Sequence, residues 1–362
     1  MIQKHSSYST AVSASEVLPL LQLTTERHGC TDTSTRLEEI RLWLASDLSE
    51  IETVISKIDA LEGASGTRSE HVSAAAAQLL SLPGKRVRAL CVLLGARLGT
   101  KNAPERHDLA IAAELVHAAT LLHDDVIDDA DERRGATASR VIYGNAASIL
   151  GGDHLLVTAL RFIANTGHFD LLCDMLDTLR DMVAGEALQL ERRGTFSPNQ
   201  DLYLEIIRGK TARLFSWALC AGARVASAEK SIETELCTMG TSLGMAFQLV
   251  DDLLDLDGNA AVLGKDPLVD LKEGKLTWPW ILAAERDPSL LAELRHVITQ
   301  DASLAEMNEL VVRAKKLEVI EDTKALALRY AEEATLAIDR LPPSDALEPL
   351  RFVVEASVQR VR

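Results

Sequence analysis

Apolar residues recur at spacings of three and four through most of the chain. Leu37, Ile40, Leu44, Leu48, Ile51 and Ile55 form one such stripe, and Leu109, Ala112, Leu115, Val116, Ala119 and Leu122 form another. That period lays the apolar side chains along one face of a helix. The runs of β-branched and aromatic residues that long strands favour are scarce. The pattern predicts an all-α protein of about a dozen helices. Breaks fall at Gly63–Gly66, Pro83-Gly84, Gly99–Pro104, Gly135, Gly194–Pro198, Gly258–Pro267 and Pro342-Pro343. None is long enough to be an interdomain linker, so residues 35–362 read as a single large helical domain. Residues 1–34 are Ser/Thr-rich, lack sustained periodicity and read as a poorly ordered tail.

Composition narrows the class. Hydrophobic residues make up 47% and charged residues 25% of the 362 positions, which excludes disorder as the dominant state. With 54 Asp plus Glu against 38 Lys plus Arg, the net charge of −16 argues against nucleic-acid binding. It also argues, at first sight, against any anionic substrate. Five scattered cysteines with no C-x-x-C pair predict reduced thiols. The early run Val17-Leu18-Pro19-Leu20-Leu21 is short, and no stretch suggests the roughly 18–20 apolar residues of a membrane span. A cytoplasmic protein is expected.

Two acidic clusters change that picture. The first, Asp124-Asp125-Val126-Ile127-Asp128-Asp129-Ala130-Asp131-Glu132, holds six acidic residues in nine and runs into Arg133-Arg134-Gly135. The second is Gln248-Leu249-Val250-Asp251-Asp252-Leu253-Leu254-Asp255-Leu256-Asp257. Both contain D-D-x-x-D at the C-terminal end of an apolar helix. Asp124 with Asp128, and Asp251 with Asp255, are four apart and share a helix face, where like charges repel. A hard divalent cation offsets that repulsion, and Mg²⁺ binds through one or two carboxylates together with substrate phosphates. Basic residues attend both clusters: Pro83-Gly84-Lys85-Arg86-Val87-Arg88, Gly209-Lys210-Thr211-Ala212, and Lys265, Lys272 and Lys275. Lys and Arg beside glycines grip phosphate oxygens. Together these features suggest a metal-bridged diphosphate.

On these motifs, in this order, the chain resembles the trans-type (all-E) prenyl diphosphate synthases, above all long-chain polyprenyl members such as octaprenyl diphosphate synthase. The likeness runs from about residue 80 to the C-terminus, and includes Gly144-Asn145-Ala146-Ala147-Ser148 and Gly185-Glu186-Ala187-Leu188-Gln189-Leu190. It implies the all-α isoprenoid synthase fold around a deep central cavity. It also implies head-to-tail joining of an allylic diphosphate to isopentenyl diphosphate with release of diphosphate. By the same likeness Asp124, Asp125, Asp128, Asp251, Asp252 and Asp255 serve the metal, with roughly three Mg²⁺ per loaded site. Arg133, Lys210, Lys265 and Lys275 hold the allylic diphosphate. Lys85, Arg88, His117 and Arg134 hold isopentenyl diphosphate. Lys210, Thr211 and Gln248 are the catalytic groups, of which Thr211 and Gln248 face the developing allylic cation. The chain departs from the family in having Pro83 before Gly84-Lys85, where a second glycine is usual, and Ala89 after Arg88, where proline is usual.

The likeness also speaks to product length. Ala119 and Thr120 stand five and four residues before Asp124, where farnesyl-type enzymes commonly carry an aromatic ring. Ala119 lies roughly 7.5 Å deeper along the helix, and neither side chain would block a growing tail. Phe162, Ile163 and Met175 are candidates for a deeper floor. The expected product is about C40, within roughly C30–C50. The alternatives are a farnesyl- or geranylgeranyl-type synthase, a class I terpene cyclase, which would lack the pattern at 84–88 and the second D-D-x-x-D, and a regulatory subunit, which would lack an aspartate motif. A homodimer is expected, with at most transient membrane contact for release of an apolar product. The acidic balance thus becomes local: much of it lies where a cation would turn it into a means of holding diphosphate.

Overall fold

The computed structural model describes residues 36, 39–40, 42–58, 69–82, 84, 86–257, 268–299 and 304–359. Its helices are α1 (Ala45–Ile55), α2 (Glu70–Ser81), α3 (Val87–Ala96), α4 (Arg106–Ile127), α5 (Ser139–Tyr143), α6 (Asn145–Asn165), α7 (Phe169–Arg192) and α8 (Gln200–Ile207). A π-helical turn, Arg208–Ala212, leads without a break into α9 (Arg213–Val225). Then come α10 (Lys230–Asp257), α11 (Val269–Lys272), α12 (Trp278–Arg286), α13 (Leu290–Thr299), α14 (Leu304–Lys316), α15 (Val319–Asp339) and α16 (Leu347–Val358). The tail and the breaks at Gly63–Gly66 and Gly258–Pro267 lie outside the described residues.

Where the sequence suggests one domain, the contacts divide into two compact units, and α4 and α6 contribute residues to both. The first unit comprises Met1–Arg86 and Leu115–Thr158. Its core contains Leu44, Ile51, Ile55, Leu79, Leu115, Leu122 and Leu155, all buried. The second comprises Val87–Glu114 and Ala159–Arg362. There α3 packs on α9, α9 on α10, and α10 on α15, around Leu94, Leu109, Phe215, Trp280 and Phe352. Glu114 is buried and accepts a hydrogen bond from Ala89 N at 3.0 Å, satisfying one of the donors that a helix start leaves unpaired.

Three features differ from the sequence expectations. A two-stranded ribbon, β1 (Glu132–Arg133) and β2 (Ala136–Thr137), interrupts the all-helical pattern, with Arg133 opposite Ala136. Its turn residues Arg134 and Gly135 have φ of 52° and 75°, the left-handed pair that a tight I′ hairpin requires. Strands of two residues leave no periodicity to detect. Second, Cys220 on α9 and Cys237 on α10 form a disulfide, with Cα atoms 5.7 Å apart. The expectation of reduced thiols is corrected for this pair, because consecutive packed helices bring together positions that look scattered in sequence. Cys91 and Cys173 are free. Third, α6 is long and apolar enough to cross a membrane by length and composition, where the sequence suggests no such stretch.

Candidate active site

In the first unit, α4 carries the apolar row Leu115, Ala118 and Leu122, and Asp125 continues that row at 0% exposure. The row enforces burial: spacings of three and four keep Asp125 on the core face. Asp124 and Asp128 fall on the adjoining, half-buried face. The hairpin turns the chain so that Arg133 reaches Asp125, with Nε donating to Oδ1 at 2.7 Å and Nη2 at 2.5 Å. Burial raises the Asp125 carboxyl above its ordinary value, and Arg133 acts against that shift. The second oxygen, Oδ2, is buried without a hydrogen-bond partner. Arg140 gathers the acids beyond the helix end, donating from Nε to Ala130 O at 2.7 Å and pairing with Asp131 at 2.9 Å and Asp129 at 3.3 Å. Arg134 donates from Nη1 to Leu82 O at 3.4 Å, beside the Gly84 turn. His117 is half-buried on α4, and its carbonyl accepts from Thr120 Oγ1 at 2.9 Å.

In the second unit, α10 repeats the logic. Met245, Leu249 and Leu256 are buried, and Asp252 lies in their row at 2% exposure. Asp251 is exposed and Asp255 half-buried. Asp252 is held by hydrogen bonds from uncharged donors. Tyr203 Oη donates to Oδ2, Gln248 Nε2 to Oδ1 at 3.0 Å, and Trp278 N to Oδ2 at 3.5 Å. Burial, reinforced by Asp251, pushes the Asp252 carboxyl up to about 7. Burial likewise pushes Asp255 up to about 6. Asp255 Oδ1 accepts from Val269 N at 2.9 Å. Gln248 Oε1 accepts from Thr211 Oγ1 at 2.9 Å.

Thr211 and Lys210 sit in the π-helical turn. Its fit against α7 depends on Gly185 and Gly209: a Cβ on Gly185 would lie 2.9 Å from Ile206 O and Lys210 N, and one on Gly209 would lie 2.6 Å from Asp181 O. Across that contact Lys210 Nζ donates to Gln189 Oε1 at 2.9 Å and pairs with Glu186. Arg88, at the start of α3, stacks on the Phe215 ring at 4.7 Å. Its Nε is buried without a hydrogen-bond partner, and burial lowers its pKa. Lys275 pairs with Glu273 at 2.7 Å.

Two of the expected metal groups differ from the rest in placement. Asp252 faces the core with both oxygens hydrogen-bonded. Asp125 is buried with Oδ1 on Arg133 and Oδ2 without a hydrogen-bond partner. Ala119, Ile163 and Met175 are buried, while Thr120 and Phe162 are half-buried. Lys85 and Lys265 lie outside the described residues. The sequence pattern assigns no role to Tyr203 or Glu186. Tyr203 precedes Lys210 by seven residues, two helical turns, and that spacing is the signal it carries.

Among the described residues, no three His, Cys, Asp or Glu side chains converge as a ready-made metal cage. The donor chemistry still fits a hard cation completed by phosphate oxygens, which needs only one or two carboxylates from the protein. In the second unit burial raises the carboxyls of Asp252, Asp255 and Asp270, and the neighbouring charge of Asp251 adds to each shift, a repulsion that a cation would relieve. Arg88 Nε, buried and unpaired, fits an anionic oxygen.

Comparison with known proteins agrees with this chemistry. Residues 69–314 match the polyprenyl synthetase family. The chain is 34% identical to a heptaprenyl diphosphate synthase component 2 of Geobacillus stearothermophilus, over 87% of its own length and 96% of that protein. It is 36% identical to an octaprenyl diphosphate synthase of Haemophilus influenzae, over 76% of its own length and 84% of that protein. A Caulobacter crescentus polyprenyl synthase, crystallised with calcium and isoprenyl diphosphate, superposes with a TM-score of 0.82 at 33% identity, covering 90% of this chain and 98% of that one. The chain therefore belongs to the polyprenyl synthetase family and is a prenyltransferase of the long-chain trans-polyprenyl diphosphate synthase type.

Proposed function

We propose that the enzyme extends an allylic diphosphate with successive isopentenyl diphosphates to an all-trans product of about C40, within roughly C30–C50. The observation that carries the reaction is the same at both aspartate motifs: the inner carboxylate is locked in the core, and the outer pair lies on a more open face. Asp124 and Asp128, and Asp251 and Asp255, would hold Mg²⁺, which supplies Lewis-acid neutralisation of the leaving diphosphate. Lys210 and Arg88 add positive charge for phosphate oxygens. Thr211 and Gln248 offer oxygen dipoles toward positive charge developing on the allylic carbon. An apolar surround would keep water from that cation.

Small Ala119 and Thr120 support a long product, as do relatives named heptaprenyl and octaprenyl synthases. Chromatography of products from farnesyl diphosphate, isopentenyl diphosphate and Mg²⁺ tests the length. A dominant C15 or C20 product would sink it. A homodimer is supported by Phe169, Leu176, Val183 and Leu190, an exposed apolar stripe at seven-residue spacing on α7. One relative is named as a component, which favours a second reading in which another subunit is needed. Activity of the purified chain alone, with its mass by light scattering, separates the two.

A further inference from the structure

Tyr203 belongs to neither metal nor phosphate chemistry, yet its hydroxyl is spent on a buried aspartate. The hydrogen bonds around it form a directed chain. Tyr203 Oη donates to Asp252 Oδ2, and Gln248 Nε2 donates to Asp252 Oδ1 at 3.0 Å. Thr211 Oγ1 donates to Gln248 Oε1 at 2.9 Å. Asp252 Oδ1 accepts from Gln248 Nε2, so the N–H end of the amide faces the aspartate. The carbonyl end is thereby turned toward Thr211. The opposite amide orientation would present N–H groups, and hence positive partial charge, on the Thr211 side.

We propose that Tyr203 is a positioning residue for the prenyl transfer: by holding Asp252 in place, it sets the orientation of the Gln248 carbonyl beside Thr211. This rests on the reading that Thr211 and Gln248 face the developing allylic cation. Asp252 is suited to a relay because it is buried and its remaining contact on Oδ2, from Trp278 N, is long at 3.5 Å. Tyr203 is itself buried, and its ring packs on Trp278 with centroids 5.6 Å apart, a contact that phenylalanine would keep. Tyr203→Phe thus removes the hydrogen bond while preserving the packing.

The test is a double-mutant cycle on steady-state turnover, with Tyr203→Phe, Gln248→Ala and the pair, each assayed with farnesyl and isopentenyl diphosphates and Mg²⁺. Tyr203→Phe is expected to lower kcat roughly tenfold, the loss of one oriented dipole, with both KM values changed less than about twofold. In the Gln248→Ala background the same substitution is expected to change kcat by less than about twofold. An equal loss in both backgrounds, or no loss in the first, overturns the role of Tyr203. If the unsubstituted enzyme shows no prenyl transfer, the reaction itself is misread and the role falls with it. A merely structural tyrosine would lower the melting temperature equally in both backgrounds and give an additive cycle.

Discussion

The two aspartate motifs bury the same residue by different means. Asp125 is met by a full positive charge, Arg133, delivered by a hairpin eight residues downstream, and its Oδ2 stays without a partner. Asp252 is met by three uncharged donors from Tyr203, Gln248 and the Trp278 backbone, and both its oxygens are satisfied. The difference teaches what each motif depends on. The first relies on local chain reversal and a charge pair. The second relies on partners as far as 49 residues away, one of which lies beside the reaction chemistry. Burying the inner carboxylate also spaces the outer ones: with the inner side chain locked, the helix end cannot rotate, so the outer pair keeps its face.

The largest effect should come from the outer pairs, where the motifs are expected to act alike. Asp124→Ala and Asp251→Ala should each lower kcat by about 1,000-fold, the scale of several kcal/mol of charge stabilisation, with unchanged circular dichroism. Surviving activity in either would break the parallel between the motifs. Stability should then separate them. Arg133→Ala leaves a buried carboxylate uncompensated and should cost about 3 kcal/mol in urea unfolding. Tyr203→Phe removes one neutral donor and should cost about 1–2 kcal/mol. The reverse order would mean that the hairpin charge pair matters less than its geometry suggests. The smallest effect concerns salt. The cost of Arg133→Ala should shrink by a few tenths of a kcal/mol at about 1 M NaCl, because Arg133 is partly exposed, while that of Tyr203→Phe should not move.

Much of this was legible in the sequence. The stripe from Leu109 to Leu122 is buried throughout and became α4, as its period requires. The inward placement of the inner aspartates is legible too. Asp125 extends the row Leu115, Ala118, Leu122, and Asp252 sits between Leu249 and Leu256, so the apolar period itself marks them as inward-facing. The partners were not legible. Nothing local ties Lys210 to Glu186 and Gln189, or Tyr203 to Asp252, because these pairings arise from helix packing across tens of residues. The Cys220–Cys237 bond escaped for the same reason.

The π-helical turn at Arg208–Ala212 has a consequence for how this stretch can vary. A π turn amounts to one residue more than an α-helix would use over the same rise. Deleting a single residue there would let α8 and α9 fuse into one regular helix with their flanking turns still in register, so Tyr203 would stay on Asp252 and Phe215 would keep its place. Only the residues of the turn itself would be re-aimed, by up to about 100° around the axis. The extra residue therefore governs where Lys210 and Thr211 point, and its loss should cost activity before it costs the fold.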